Sequence, residues 1–141
     1  MPSFGKASKT HLARLDPRLQ EILNEAIKYF DFSIIDSHRG KEAQDLAYQK
    51  GLSKVKWPHS KHNHPDHPEQ EVDLPIARAV DIAPYPIAWN DTERFVYLAG
   101  WVMAIAALKG IKLRWGGDWD SDTQVKDEKF RDFGHFELVK D

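Results

Sequence analysis

Apolar residues recur at helical spacing through Leu19, Ile22, Leu23, Ala26, Ile27 and Phe30, the pattern of a helix with one buried face. Asp16 followed by Pro17 supplies an N-cap and a first-turn proline, so this helix is predicted to begin there. Residues 32–35 form a short apolar run, predicted as a buried strand that ends at Asp36-Ser37-His38-Arg39-Gly40. A second helix is predicted over 41–50, stopped by Gly51. The periodicity then dissolves: 52–75 is a stretch of histidine, charge and proline, with Pro58, Pro65, Pro68 and Pro75, and reads as a long loop. Residues 77–83 resume as a strand with Ala79, Asp81 and Ala83 on one face and Val80 and Ile82 on the other, ended by Pro84 and Pro86. Asn90 or Asp91 can cap a long apolar helix that runs to about Lys109, ahead of Gly110, and is expected to be the central element of the core. Strands are predicted over 111–115 and 134–139, separated by Gly116-Gly117 and an acidic loop. Strands and helices do not alternate regularly, and there is no internal repeat or glycine-rich phosphate fingerprint. The expected class is α+β, with helices packed on a mainly antiparallel sheet.

Composition narrows this picture. A chain of 141 residues with 41% hydrophobic and 30% charged positions has the size and balance of one globular domain, spanning 1–141. With no cysteine, disulfides, thiolate zinc sites and cysteine nucleophiles are excluded, leaving His, Asp and Glu as the strong metal ligands. The net charge of −2 gives no overall positive field, which argues against nucleic acid as a partner. The start, Met1 to Lys6, is too polar for a secretory signal. The longest apolar region, 95–108, is shorter than the ~20 residues of a membrane span and is interrupted by Gly100. A soluble protein, made in the cytoplasm and without stable membrane insertion, is expected.

The chemistry concentrates in three places. His59, His62, His64 and His67, four of the seven histidines, crowd into the polar loop. Such a cluster alone is more often a solvated surface than a site. Asp81 adds weight, because a carboxylate on an otherwise buried strand needs a partner: a metal, or an arginine such as Arg78 or Arg39. Near the C-terminus Asp132 and His135 flank Gly134. Positions three apart on a straight strand face opposite ways, but a kink at the glycine would turn both toward one cavity. The alternative is a capping aspartate and a core histidine.

On these residues the sequence resembles the D-Ala-D-Ala carboxypeptidase and L-alanyl-D-glutamate endopeptidase family of zinc peptidases, in its phage endolysin type. Ser60-Lys61-His62, Ala79-Val80-Asp81 and Asp132-x-x-His135-Phe136-Glu137-Leu138 are similar to the family's three metal-site motifs. Ile35-Asp36-Ser37-His38-Arg39-Gly40, with Gln44 and Gly51, resembles its arginine-bearing strand and helix. Pro84-Tyr85-Pro86-Ile87-Ala88-Trp89 and Leu113-Arg114-Trp115-Gly116-Gly117-Asp118-Trp119 resemble phage-type members. The resemblance implies a hedgehog and D-Ala-D-Ala peptidase-like fold, and Zn²⁺ held by His62, Asp81 and His135 with a fourth position open to water. It implies Asp132 as general base and then acid, and Arg39 as the cation that stabilises the oxyanion or holds substrate. It gives Ser60 a part in positioning substrate or a ligand; a turn-stabilising role is the alternative. The implied reaction is hydrolysis of the L-alanyl-D-glutamate bond in peptidoglycan stem peptides, by a monomer that reaches the cell wall after membrane permeabilisation. D-Ala-D-Ala carboxypeptidase or dipeptidase action, and a non-catalytic zinc-binding wall module, are the alternatives.

One departure is large. His62 and Asp81 stand 19 positions apart, much farther than in the family, so 64–75 reads as a loop insertion, which costs little in closure entropy. It supplies His64 and His67 as competitors of His62 for the first ligand position. Asp118, Asp120 and Asp122 alternate like the start of a calcium loop, but Thr123 stands at the turn glycine and Lys129 at the bidentate glutamate, so a solvated acidic loop is expected. Core packing is the default for Trp89, Trp115 and Trp119, whereas Trp57 beside the histidine loop is a candidate for contact with glycan or peptide.

Overall fold

The structure, a computed structural model, describes residues 2–37, 49–50, 76–126 and 131–139. Among the described residues, three helices, α1 (Lys6–Leu12), α2 (Pro17–Ala26) and α3 (Thr92–Leu108), accompany four strands, β1 (Phe32–Asp36), β2 (Ala79–Pro84), β3 (Leu113–Trp115) and β4 (His135–Leu138). The strands form one antiparallel sheet in the order β1-β2-β4-β3. The fold is α+β, as the pattern of the sequence predicts.

The two long helices follow their sequence signals. Asp16 caps α2 by accepting the Arg18 backbone N–H at 2.9 Å, with Pro17 in the first turn. Leu19, Ile22, Leu23 and Ala26 are its buried face, and each fully buried leucine or isoleucine contributes roughly 1.5–3 kcal/mol. The regular helix stops at Ala26, and turns carry Ile27 and Phe30 onward. In α3, Phe95, Leu98, Ala99, Val102, Ile105 and Ala106 are buried, again at three-and-four spacing. Val96, Tyr97 and Leu108 on the same helix are exposed. The helix packs against α2 on one side and against β2 and β3 on another, as expected of a central element of the core, and leaves its remaining face exposed.

Phe32 and Ile34 of β1, Val80 and Ile82 of β2, Leu113 and Trp115 of β3, and Phe136 and Leu138 of β4 are buried in one core cluster with α2 and α3. Alternation along the strands places Asp81, His135 and Glu137 on the opposite face. Two expectations need correction. Ile35 is exposed, because alternation after buried Ile34 turns it away from the core, and a bulge between Ile34 and Asp36 brings Asp36 into register with Asp81. Trp89 is also exposed, lying beyond the end of β2 and stacked on Phe95 with ring centroids 5.9 Å apart.

Helix α1 carries no strong sequence signal, having a single buried residue, Ser8. Its hydroxyl accepts the Ile34 backbone N–H at 3.0 Å and so occupies a donor that the edge strand β1 would otherwise leave open. Ser37, fully buried at the end of β1, is bonded to His11 of α1 at 3.1 Å. Predictions for 41–48 and for the loop over 52–75 lie outside the described residues. Among the described residues, no helix is long and apolar enough to cross a membrane.

Candidate metal centre

Strand register builds the site. Asp81 on β2 stands directly opposite His135 on β4, and their side chains meet with Nδ1 to Oδ1 at 3.0 Å. His135 is therefore one partner of the half-buried Asp81. The other imidazole nitrogen, Nε2, is 2.9 Å from Oε1 of Glu137, two residues along the same strand. Both His135 and Glu137 side chains are nearly buried, at 11% and 13% exposure. Burial by itself would pull the His135 imidazolium down. Hydrogen bonds to Asp81 and Glu137, with attraction from the Asp81 and Asp132 charges, outweigh it and push the pKa up to about 10.

Asp132 arrives by a turn. The His135 backbone N–H donates to the Asp132 carbonyl at 3.1 Å, so the chain reverses over Phe133-Gly134 just before β4 begins. The sequence expectation of a kink at Gly134 thus holds, with a tight turn as its form. Gly134 also lies against β2: its carbonyl accepts the Ile82 N–H at 2.8 Å, and a Cβ there would collide with the Ile82 carbonyl. Gly116 secures the other side of the turn. Its N–H donates to His135 O at 2.8 Å, its carbonyl accepts from Asp132 N at 2.9 Å, and a Cβ would strike the Asp132 carbonyl. Trp115 holds the middle, donating from Nε1 to Phe133 O at 2.8 Å and stacking on the Phe133 ring at 5.6 Å.

One potential ligand atom from each of Asp81, Asp132 and His135 falls within a span of 4.8 Å. Two carboxylates and one imidazole, without sulfur, suit a borderline divalent cation such as zinc. The described donors therefore fit a metal, and no barrier of chemistry separates them from the expected histidine-carboxylate set. His62, Arg39 and Ser60, and the competitors His64 and His67, lie outside the described residues, as does Trp57.

Three features were not identified as contributors to the site from sequence. Glu137 grips the far side of the imidazole; its two-residue offset from His135 on a strand is the signal that would have found it. Trp119, expected in the core, lies against the His135 ring at 5.3 Å. Asp36 joins the row only through the bulge in β1. Elsewhere, Asp118, Asp120 and Asp122 bring oxygens within 4.8 Å of one another in an exposed to half-exposed loop. The loop folds around these carboxylates: Asp118 accepts N–H bonds from Asp122 at 3.1 Å and Thr123 at 2.9 Å.

Comparison with known proteins agrees with the geometry. The sequence profile of the phage L-alanyl-D-glutamate peptidases matches residues 2–139. The chain belongs to that family. It is 36% identical over 147 aligned positions to the L-alanyl-D-glutamate peptidase of Escherichia phage T5, covering 96% of this chain and 97% of the relative. Its fold is similar to that of the crystal structure of the Serratia marcescens L-Ala D-Glu endopeptidase ChiX, with a TM-score of 0.70 at 24% identity, covering 97% of this chain and 90% of the other.

Proposed function

We propose that this chain is a zinc-dependent endopeptidase of the endolysin type, which hydrolyses the L-alanyl-D-glutamate bond of peptidoglycan stem peptides. The observation that carries this reading is the convergence of Asp81, Asp132 and His135 in a member of the phage L-alanyl-D-glutamate peptidase family. His62, Asp81 and His135 hold Zn²⁺ in this proposal. When bound, zinc supplies Lewis-acid chemistry that brings water within reach of deprotonation near neutral pH. Asp132 accepts the proton of the attacking water and returns it to the leaving D-glutamate amine, which puts one carboxylate in both the base and acid roles. Arg39 stabilises the developing oxyanion or anchors the substrate, and Ser60 assists in positioning. The chain acts as a monomer on the wall after the membrane has been permeabilised.

Digestion of purified peptidoglycan followed by mass spectrometry tests the reaction. Released stem peptides beginning with a free D-glutamate amine are expected. Release of terminal D-alanine with the stem intact would instead establish carboxypeptidase action and overturn the endopeptidase assignment. Asp132 also belongs to the three-donor group, which favours a second reading in which it is a ligand. Asp132→Ala separates the two: retained zinc with lost hydrolysis supports the base, and lost zinc makes Asp132 a ligand.

A further inference from the structure

We infer that Glu137 is a positioning residue for the metal centre, holding the His135 ring in the tautomer and orientation that present Nδ1 as the ligand atom. The inference rests on the zinc reading above. Its geometric basis is the division of labour between the two ring nitrogens. Nδ1 faces Asp81 at 3.0 Å, on the side where the donor atoms gather, while Nε2 faces Glu137 at 2.9 Å. Glu137 is not one of the three converging donors. Both ring nitrogens face carboxylates, which only accept hydrogen bonds; a metal among the gathered donors takes the place of the proton at Nδ1, and Glu137 keeps the one at Nε2. A neutral imidazole with hydrogen on Nε2 has its lone pair on Nδ1, where a metal can take it.

The scaffold keeps this arrangement in place. β4 lies between β2 and β3, so neither His135 nor Glu137 sits on a free edge. The two residues project from the same face because they are two apart. Glu137 stands opposite Ala79 on β2 and Arg114 on β3. Register thus sets a small residue on one side of Glu137 and a cationic one on the other. Hydrogen bonding from a ligating histidine to a carboxylate raises ligand basicity and fixes the ring, and its loss weakens metal binding about 10–100-fold in comparable sites.

The test measures zinc affinity by competition with a chromophoric chelator, and reads the His135 tautomer by ¹⁵N NMR, in the full chain. Glu137→Ala is expected to bind zinc about 10–100-fold more weakly. Glu137→Gln, whose amide oxygen still accepts from Nε2, is expected to recover most of that loss. In the zinc-loaded wild type, Nδ1 should be metal-bound and Nε2 protonated; this measurement decides the matter even if Glu137→Ala does not fold. Zinc on Nε2, or a Glu137→Ala protein that binds as tightly as wild type, overturns the inference while leaving the zinc reading intact. A wild-type protein that takes no zinc overturns that reading, and this inference with it.

Discussion

Asp81 and His135 owe their importance to being opposite each other rather than to their individual types. A buried carboxylate or imidazole alone is costly to keep charged; as a pair they hold each other, and a metal can replace the proton between them. Replacing His135 with Ala is expected to abolish both zinc uptake and hydrolysis, read by metal analysis and by release of stem peptide. Asp16 gives a separate residue-level test. Its burial acts to raise the carboxyl, but hydrogen bonds from the Arg18 side chain and backbone prevail and hold it below the usual carboxylate value of 3.8. A depressed folded value means the contribution is present above the unfolded pKa and is lost as pH falls through the folded one. Asp16→Asn should keep the cap and flatten the acid limb of a stability-against-pH curve, whereas Asp16→Ala should cost about 1 kcal/mol in urea unfolding near neutrality. An equal acid limb in wild type and Asp16→Asn would contradict this assignment.

The elements around the site work as a frame of close backbone approaches. The turn that presents Asp132 is fastened to Gly116, to Gly134 against β2, and to the Trp115 indole. Gly116→Ala is expected to shift the Asp132 turn and lower turnover at least about 10-fold, since the role proposed for Asp132 in proton transfer is sensitive to small misplacements. Parallel melting curves check that the loss exceeds what unfolding explains. At the opposite edge, α1 caps β1 through Ser8, and Ser8→Ala leaves the Ile34 N–H without its acceptor. A loss of about 1–3 kcal/mol in denaturant unfolding is expected from such an orphaned donor. Sequence pattern missed α1 because a seven-residue helix with one buried serine has no apolar stripe to recognise. It found α2 and α3 because each buries residues at the helical period.

At the scale of the whole molecule, the apolar sheet face carries the core beneath α2 and α3, and the other face carries the candidate metal centre. The proposed zinc couples to this architecture: a ligand that binds only the folded state stabilises it by about 2.7 kcal/mol at a hundredfold excess over its dissociation constant. Zinc at that excess should raise the thermal midpoint of metal-stripped protein, and the Asp81→Asn variant should show a much smaller rise. The sequence by itself determined the α+β class, the caps and periods of α2 and α3, the strand alternation that puts Asp81 off the core face, and the identity of Asp81, Asp132 and His135 as candidates. These are local properties, written in spacing and side-chain chemistry. Tertiary structure alone decided which strand faces which, and therefore that Asp81 meets His135. It also decided that Glu137 takes the second ring nitrogen, that the bulge in β1 brings Asp36 beside Asp81, and that Trp119 leaves the core for the His135 ring. Register joins residues 54 positions apart, and no period within one segment records which distant partner the hydrogen-bonded ladder will place beside it.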